Sequence, residues 1–374
     1  MKKVLFVGPY RQSDGWGNAA REYIRALRLT DCDLATRPVY LNMQNSYAAM
    51  DEFKDLEDNR FDSYDVIIQN CLPHQFRKYG GVKNIGLSFF ETSDISTTPW
   101  PASINLMDEM WVSSFFEART LEDSGIDIPI NVIPIPVDAN KYTKEYEPFE
   151  PLEKHSHEFK FYFIGEYIAR KDIQTLLLAF HREFKSYELV RLVLKVNKVG
   201  HSALDTMNAI NQDIMGLKGA LNIKPSPQDY KTEIVIPNYL TEEELYGVHK
   251  ACDCFVTASS GEAFCMPAFD AAMLGRAPLV NKNSSMAEYI YNMNGALVNS
   301  HLSPAISQDR ALPFLYTGAD TWYQVDTIDL QRHMREAFEC ITPDKKIEMA
   351  KWTQKHVLPA YTYENIALKM GVYL

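Results

Sequence analysis

The chain has 374 residues, enough for two domains of ordinary size, and its 46% apolar and 23% charged residues exclude a disordered or fibrous protein. A formal net charge of −11 excludes a general electrostatic grip on nucleic acid or anionic lipid, so nucleic acid is not an expected partner. Six scattered cysteines and no apolar run near the roughly 20 residues that span a bilayer point to a cytoplasmic location with at most peripheral membrane contact.

In chain order, the apolar run at 3–7 ends at Gly8 and is too short for a secretion signal, so it reads as a first buried strand. Further strands are expected at 66–69, 84–89, 109–112 and 131–135. Amphipathic helices at 18–29 and 114–124 fall between them, the second with Ser114 at its start and Gly125 after its end. Alternation of this kind implies a parallel sheet covered by helices. A charged, Pro-bearing stretch at 142–157 reads as a linker, and the alternation restarts with a strand at 159–164. A helix at 173–186, strands at 190–196 and 234–237, a helix at 242–251, a strand at 254–257 and a helix at 267–274 follow. Leu204, Met207, Ile210, Ile214 and Leu217 recur at helical spacing, which predicts a surface helix inserted within 201–230. The last stretch, 344–374, reads as helix broken near Pro359. The expected architecture is α/β, with two Rossmann-like doubly wound domains facing across a cleft. Their bounds are 1–150 and 158–345, with 346–374 returning as a helix toward the first domain.

The strongest local signal is Ser259-Ser260-Gly261-Glu262-Ala263-Phe264-Cys265-Met266-Pro267, directly after a strand. Pro267 suits the first turn of a helix and Gly275 its end. The free N–H groups and partial positive charge at such a start can hold a diphosphate. Glu262 in the loop and Asp270 in the helix can reach different parts of one ligand. Alone, the run also fits a capped core helix with two incidental acids. A second segment, Phe163-Ile164-Gly165-Glu166 followed by Arg170-Lys171, is again strand, Gly turn and helix start. A third, Gly8 to Asn18, carries Gly15 and Gly17, where a missing Cβ permits close approach to phosphate or sugar. A fourth, Leu87-Ser88-Phe89-Phe90-Glu91, ends a strand with an acid that fits either a sugar contact or a loop hydrogen bond. Asn238 follows the 234–237 strand, where backbone groups can read a nucleotide base. The arginines at 21, 25 and 28 share one helical face and read as solvated.

Taken in order, these segments resemble the family-4 retaining glycosyltransferases of the GT-B fold. The run from Glu262 to Asp270 is similar to their E-x7-E motif, with Asp in place of the second Glu. Lys171 matches the Lys of their Gly-Arg-x4-Lys segment, whereas Glu166 stands at the Arg position. The resemblance implies transfer of a hexose from a nucleoside diphosphate donor, UDP- or GDP-linked, to a hydroxyl of a carbohydrate or glycolipid, with retention. It implies no required cofactor and no metal. Its catalytic set would be Glu262, Lys171 and Glu91. The donor would meet Gly15, Gly17, Gly165, Arg170, Lys171, Asn238, Glu262, Phe264, Cys265, Met266 and Asp270. A GT-B sugar-nucleotide epimerase and a non-catalytic sugar-nucleotide-binding protein are the alternatives that the same segments allow.

Overall fold

The computed structural model describes residues 1–41, 51–224, 226, 229–308 and 312–374. The chain divides into two compact units, residues 1–139 with 358–374 and residues 140–357.

The first unit is built on a six-stranded parallel sheet ordered β2-β1-β3-β4-β5-β6. Its strands and helices are β1 (Lys2–Gly8), α1 (Gly15–Leu27), β2 (Cys32–Pro38), α2 (Lys54–Asp58), β3 (Val66–Asn70), β4 (Lys83–Leu87), α3 (Trp100–Ile104), β5 (Glu109–Val112), α4 (Phe115–Asp123) and β6 (Ile130–Val132). The C-terminal helix, Tyr363–Tyr373, belongs to the same unit. All five residues of β3 are buried, as befits a strand covered on both faces. Ala19, Ala20, Tyr23, Ile24 and Leu27 form the buried stripe of α1, and the Tyr23 hydroxyl donates to the Ile133 carbonyl at 2.6 Å. The strand expected to reach 135 stops at Val132, because Pro134 has no N–H to give the ladder. The edge strand β2 was not foreseen: only Leu34 and Ala35 of its seven residues are apolar among polar and terminal ones, so period-two reasoning had little to register.

The second unit holds β7 (Phe159–Glu166), α5 (Ile173–Glu183), β8 (Val190–Asn197), α6 (Ala203–Leu221), β9 (Ile234–Ile236), α7 (Glu242–Ala251), β10 (Cys254–Phe255), α8 (Met266–Met273), β11 (Leu279–Asn281), β12 (Ala296–Val298), β13 (Ser300–Ile306), β14 (Thr317–Val325), α9 (Thr327–Cys340) and α10 (Pro343–His356). β10, β7, β8 and β9 pair in parallel in that order. A parallel bridge between Val256 and Leu279 sets β11 beside β10, and β12 follows β11. Numbered within the unit, this is strand order 3-2-1-4-5-6, with its reversal between β7 and β10. Ligands of such sheets bind beyond the carboxyl ends of the strands at that reversal. One face of the sheet carries the main apolar core, in which Phe161, Leu192, Leu194 and Val196 meet Leu176 and Phe180 of α5 and Leu330 and Met334 of α9.

Three expectations are corrected. The 201–230 helix is not a surface insertion: α6 buries Ile210 and Ile214 in this core, because it is the crossover between β8 and β9. Residues 142–157 are part of the second unit, where Tyr146 stacks on Tyr246 at 4.6 Å and the Phe149 N–H donates to the Gly247 carbonyl at 3.0 Å. Residues 346–357 also belong to the second unit. There Gly275, at φ +69°, lets α10 pass so closely that a Cβ would sit 1.9 Å from the Lys346 carbonyl oxygen. The antiparallel hairpin of β13 and β14 is an element the sequence reading lacked altogether. Among the described residues no helix is long and apolar enough to cross a membrane.

Candidate active site

At the reversal of the second sheet, two loops are joined by their backbones. The loop after β7 forms a single 3-10 turn, Ala169–Lys171, and Asp172 then caps α5 by accepting from the Thr175 N–H at 3.1 Å. The loop after β10 runs buried through Ser259, Ser260 and Glu262. The Ser260 N–H donates to the Arg170 carbonyl at 2.9 Å, and Arg170 Nη1 donates to the Gly261 carbonyl at 2.5 Å. These bonds aim both cations at one acid: Lys171 Nζ lies 2.5 Å and Arg170 Nη1 3.4 Å from Glu262 Oε1.

Burial alone would push the Glu262 carboxyl up, but the Lys171 and Arg170 charges and hydrogen bonds from Lys171 and Ser259 outweigh it and hold the group at about 2. The acid is therefore ionised at neutral pH and can accept hydrogen bonds without donating one. With two cations against one carboxylate, the cluster carries a net positive charge beside the start of α8.

That helix start is held open by strain and support together. Cys265, its N-cap, sits at φ +65° and gives no side-chain cap bond. A non-glycine residue there is strained, and such strain persists only where the surroundings over-determine it. The Tyr289 hydroxyl supplies part of that determination, donating to the Phe264 carbonyl at 2.5 Å and to the Cys265 carbonyl at 3.1 Å. Ser285 Oγ donates to the Glu262 carbonyl at 2.6 Å, and the Tyr323 N–H of β14 donates to the Ser260 carbonyl at 3.0 Å. Sequence reasoning missed Ser285, Tyr289 and Tyr323 as supports, because nothing local marks a residue that braces a loop far away in the chain.

Asp270, one turn into α8, accepts at a single oxygen from two phenols, Tyr142 Oη at 2.7 Å and Tyr246 Oη at 3.2 Å. Burial raises its carboxyl from the ordinary 3.8 to about 6, against the Tyr142 bond, the Lys141 charge and the Tyr246 bond, and with Glu242 adding to the rise. A raised carboxyl favours the folded state while protonated. Its contribution is full below about pH 4 and is lost as pH rises through about 6. The wild-type melting temperature should therefore fall relative to Asp270→Asn between pH 4 and pH 7, whereas a constant gap would refute the raised pKa.

Of the other residues singled out in this unit, Gly165 lies at the end of β7, Phe264 is buried against Phe269 and Tyr289, and Met266 is the first residue of α8. Asn238 is exposed beyond β9. Glu166, which stands where the family's segment carries an Arg, turns toward the β8–α6 loop and accepts from the Val199 N–H at 3.4 Å. Arg170 is committed to Gly261 and Glu262 as described.

Gly15, Gly17 and Glu91 belong to the first unit. Asp14 caps α1 through the Gly17 N–H at 2.9 Å, and a Cβ on Gly17 would meet the Gln12 carbonyl oxygen at 2.0 Å, so only glycine fits. Arg21 is no solvated bystander: Nη1 donates to the Tyr10 and Gln12 carbonyls at 2.8 and 2.7 Å and shapes this loop. Glu91 follows β4 and is half-buried. Its segment is pinned by the buried acid Glu117, which accepts from the Phe90 N–H at 2.7 Å and the Ser113 N–H at 2.8 Å. Burial nevertheless pushes Glu117 up to about 8.

No protein-family model and no curated protein matches the chain. Solved structures do match over its whole length. HepE from Anabaena in complex with UDP-glucose is 13% identical, with a TM-score of 0.66 over 100% of this chain and 99% of that one. Sucrose-phosphate synthase from Thermosynechococcus elongatus is 14% identical, with a TM-score of 0.66 over 100% and 98%. An E. coli protein solved with bound UDP-2-fluoro glucose is 10% identical, with a TM-score of 0.65 over 98% of both chains. The fold is thus α/β with two Rossmann-like domains, that of the GT-B glycosyltransferases.

Proposed function

We propose that the chain is a glycosyltransferase of the retaining family-4 kind, moving a hexose from a nucleoside diphosphate donor to an acceptor hydroxyl. The observation that carries this reading is the convergence of Lys171 and Arg170 on Glu262 beside the start of α8, at the reversal of the second sheet. Solved structures of the same fold in complex with UDP or UDP-glucose support the choice of donor.

In this reading the helix start and Lys171 take the diphosphate. As the bond between the anomeric carbon and the phosphate oxygen breaks, negative charge grows on the leaving group, and a preplaced cation stabilises it more than the ground state. Glu262, ionised but engaged with Lys171, accepts hydrogen bonds from sugar hydroxyls. The acceptor oxygen bonds to the anomeric carbon on the face the diphosphate leaves, and its proton passes to the departing phosphate oxygen. Glu91, Gly15 and Gly17 are assigned to the sugar and acceptor side of the reaction. Lysine, arginine and the helix end supply the positive charge that a metal supplies elsewhere, so turnover is expected to persist in EDTA.

Thermal unfolding with UDP-, GDP- and ADP-sugars tests the reading. A true donor at a hundredfold excess over its Kd stabilises by about 2.7 kcal/mol. No stabilisation by any of them would overturn the proposal. Conversion of a donor into an isomeric sugar without an acceptor would favour the epimerase instead, and tight binding with neither transfer nor hydrolysis a non-catalytic role.

A further inference from the structure

Lys195 is a cation the site described so far does not use. It lies on β8, two residues before the strand ends at Asn197, and is only 6% exposed. Among the described residues it has neither a hydrogen-bond nor an ion-pair partner for its ammonium. A buried cation without a carboxylate is costly, and such groups are retained where a ligand completes them.

Its direction follows from the strand's alternation. Leu192, Leu194 and Val196 enter the main core, so Lys195 points to the opposite face. On β7 that face carries Tyr162, whose hydroxyl bonds His249 of α7 at 2.6 Å, so it is the face that α7 covers. From α7, Tyr246 reaches Asp270 on α8. The register sets Lys195 between Ile164 of β7 and Ile236 of β9. β7 leads into the turn bearing Arg170 and Lys171, and β9 into Pro237 and Asn238. Lys195 is therefore displaced from the diphosphate cations toward β9, by one strand spacing of about 4.8 Å. A nucleoside extending from the α8 start past Asp270 would run in that direction.

We propose that Lys195 reads the base of the donor nucleotide, donating a hydrogen bond to the carbonyl oxygen that uracil carries at O4 and guanine at O6. Cytosine and adenine present an amino donor at that position, which a lysine cannot satisfy. Lys195 thereby selects oxo-bases over amino-bases. Burial lowers its ammonium to about 8, so the charged form is costly there yet still predominates at neutral pH, and a base carbonyl accepting from it would offset part of that cost. The inference rests on the sugar-nucleotide reading above.

Calorimetric titration of UDP, GDP, CDP and ADP into the full chain, wild type and Lys195→Met, tests it. The wild type should bind UDP or GDP at least about tenfold more tightly than CDP or ADP, the worth of one charge-assisted hydrogen bond. Lys195→Met should cut oxo-base affinity by about the same factor and leave amino-base affinity unchanged, so that the ratio collapses. Lys195→Gln, which donates and accepts, should also narrow the ratio, and it carries the test if the Met variant melts early. A merely structural lysine would lower all four affinities together. An unchanged ratio in both variants, or a wild-type preference for CDP or ADP, overturns the inference. Failure of all four nucleotides to bind the wild type overturns the underlying reading instead.

Discussion

Lys171→Ala is expected to lower the rate of sugar transfer on the order of 100- to 1,000-fold, the usual worth of one preplaced donor at a developing negative charge. The cause is specific: Lys171 Nζ, 2.5 Å from Glu262 Oε1, is the cation nearest that carboxylate and stands beside the start of α8. The substitution also acts on stability. Glu262 is held at about 2, so its ionised form contributes stability that is full above the ordinary 4.5 and is lost as pH falls toward 2. Without Lys171 the Arg170 charge, at 3.4 Å, and the Ser259 hydrogen bond oppose the burial cost less fully, the carboxyl rises, and less stability remains at neutral pH. Lys171→Arg keeps the charge and should recover part of both losses. Initial rates with a purified donor, together with acid unfolding curves, check the prediction; undiminished transfer by Lys171→Ala would remove this lysine from the chemistry.

Glu262→Gln should separate binding from turnover. The carboxylate competes with any diphosphate for Lys171 and Arg170, so its neutral isostere frees both cations, and UDP or GDP should bind several-fold more tightly, a change of about 1 kcal/mol. Sugar transfer should nevertheless fall on the order of 100-fold, because the ionised acceptor that the reading assigns to the sugar hydroxyls is gone. The empty variant should also lose about 3 kcal/mol of stability, since one buried and one partly buried cation remain without an anion, and the free nucleotide should restore much of it. Calorimetry with UDP and GDP, melting curves with and without them, and initial rates make the three readings. Weaker nucleotide binding would show that Glu262 is not the diphosphate's competitor.

Much of the second unit was legible because its residues mark their own local conformation. Pro267 and Gly275 bracketed α8 to within about a residue, and Thr241 with Glu244 forms the capping box that starts α7 at Glu242. Lys171 and Glu262 were also readable as site candidates through the resemblance of their ordered segments to a known family, and the structure brings Lys171 Nζ to 2.5 Å from Glu262 Oε1. Arg170 was legible as a cation but not as a strut: its bond to the Gly261 carbonyl spans 91 positions of chain. Asp270 was legible as an acid but not as one bonded by Tyr142 and Tyr246, which arrive from the segment read as a linker and from another helix. Lys195 was hidden within an apolar strand, where a single lysine has no local signature.

Local spacing therefore determined the alternation of strands and helices, the two-domain α/β class and the helix start after Cys265, while the resemblance of the ordered segments to a known family marked the acids and cations worth watching. Only the tertiary structure decided that β7 and β10 lie side by side at the reversal of the sheet, that α6 belongs to the core, and which phenols and amides hold each charge. The physical reason is one of range. Caps, glycine turns and side-chain periodicity act within a few residues of their cause, whereas a carboxylate's protonation and orientation depend on burial and on partners that chain folding brings from far away.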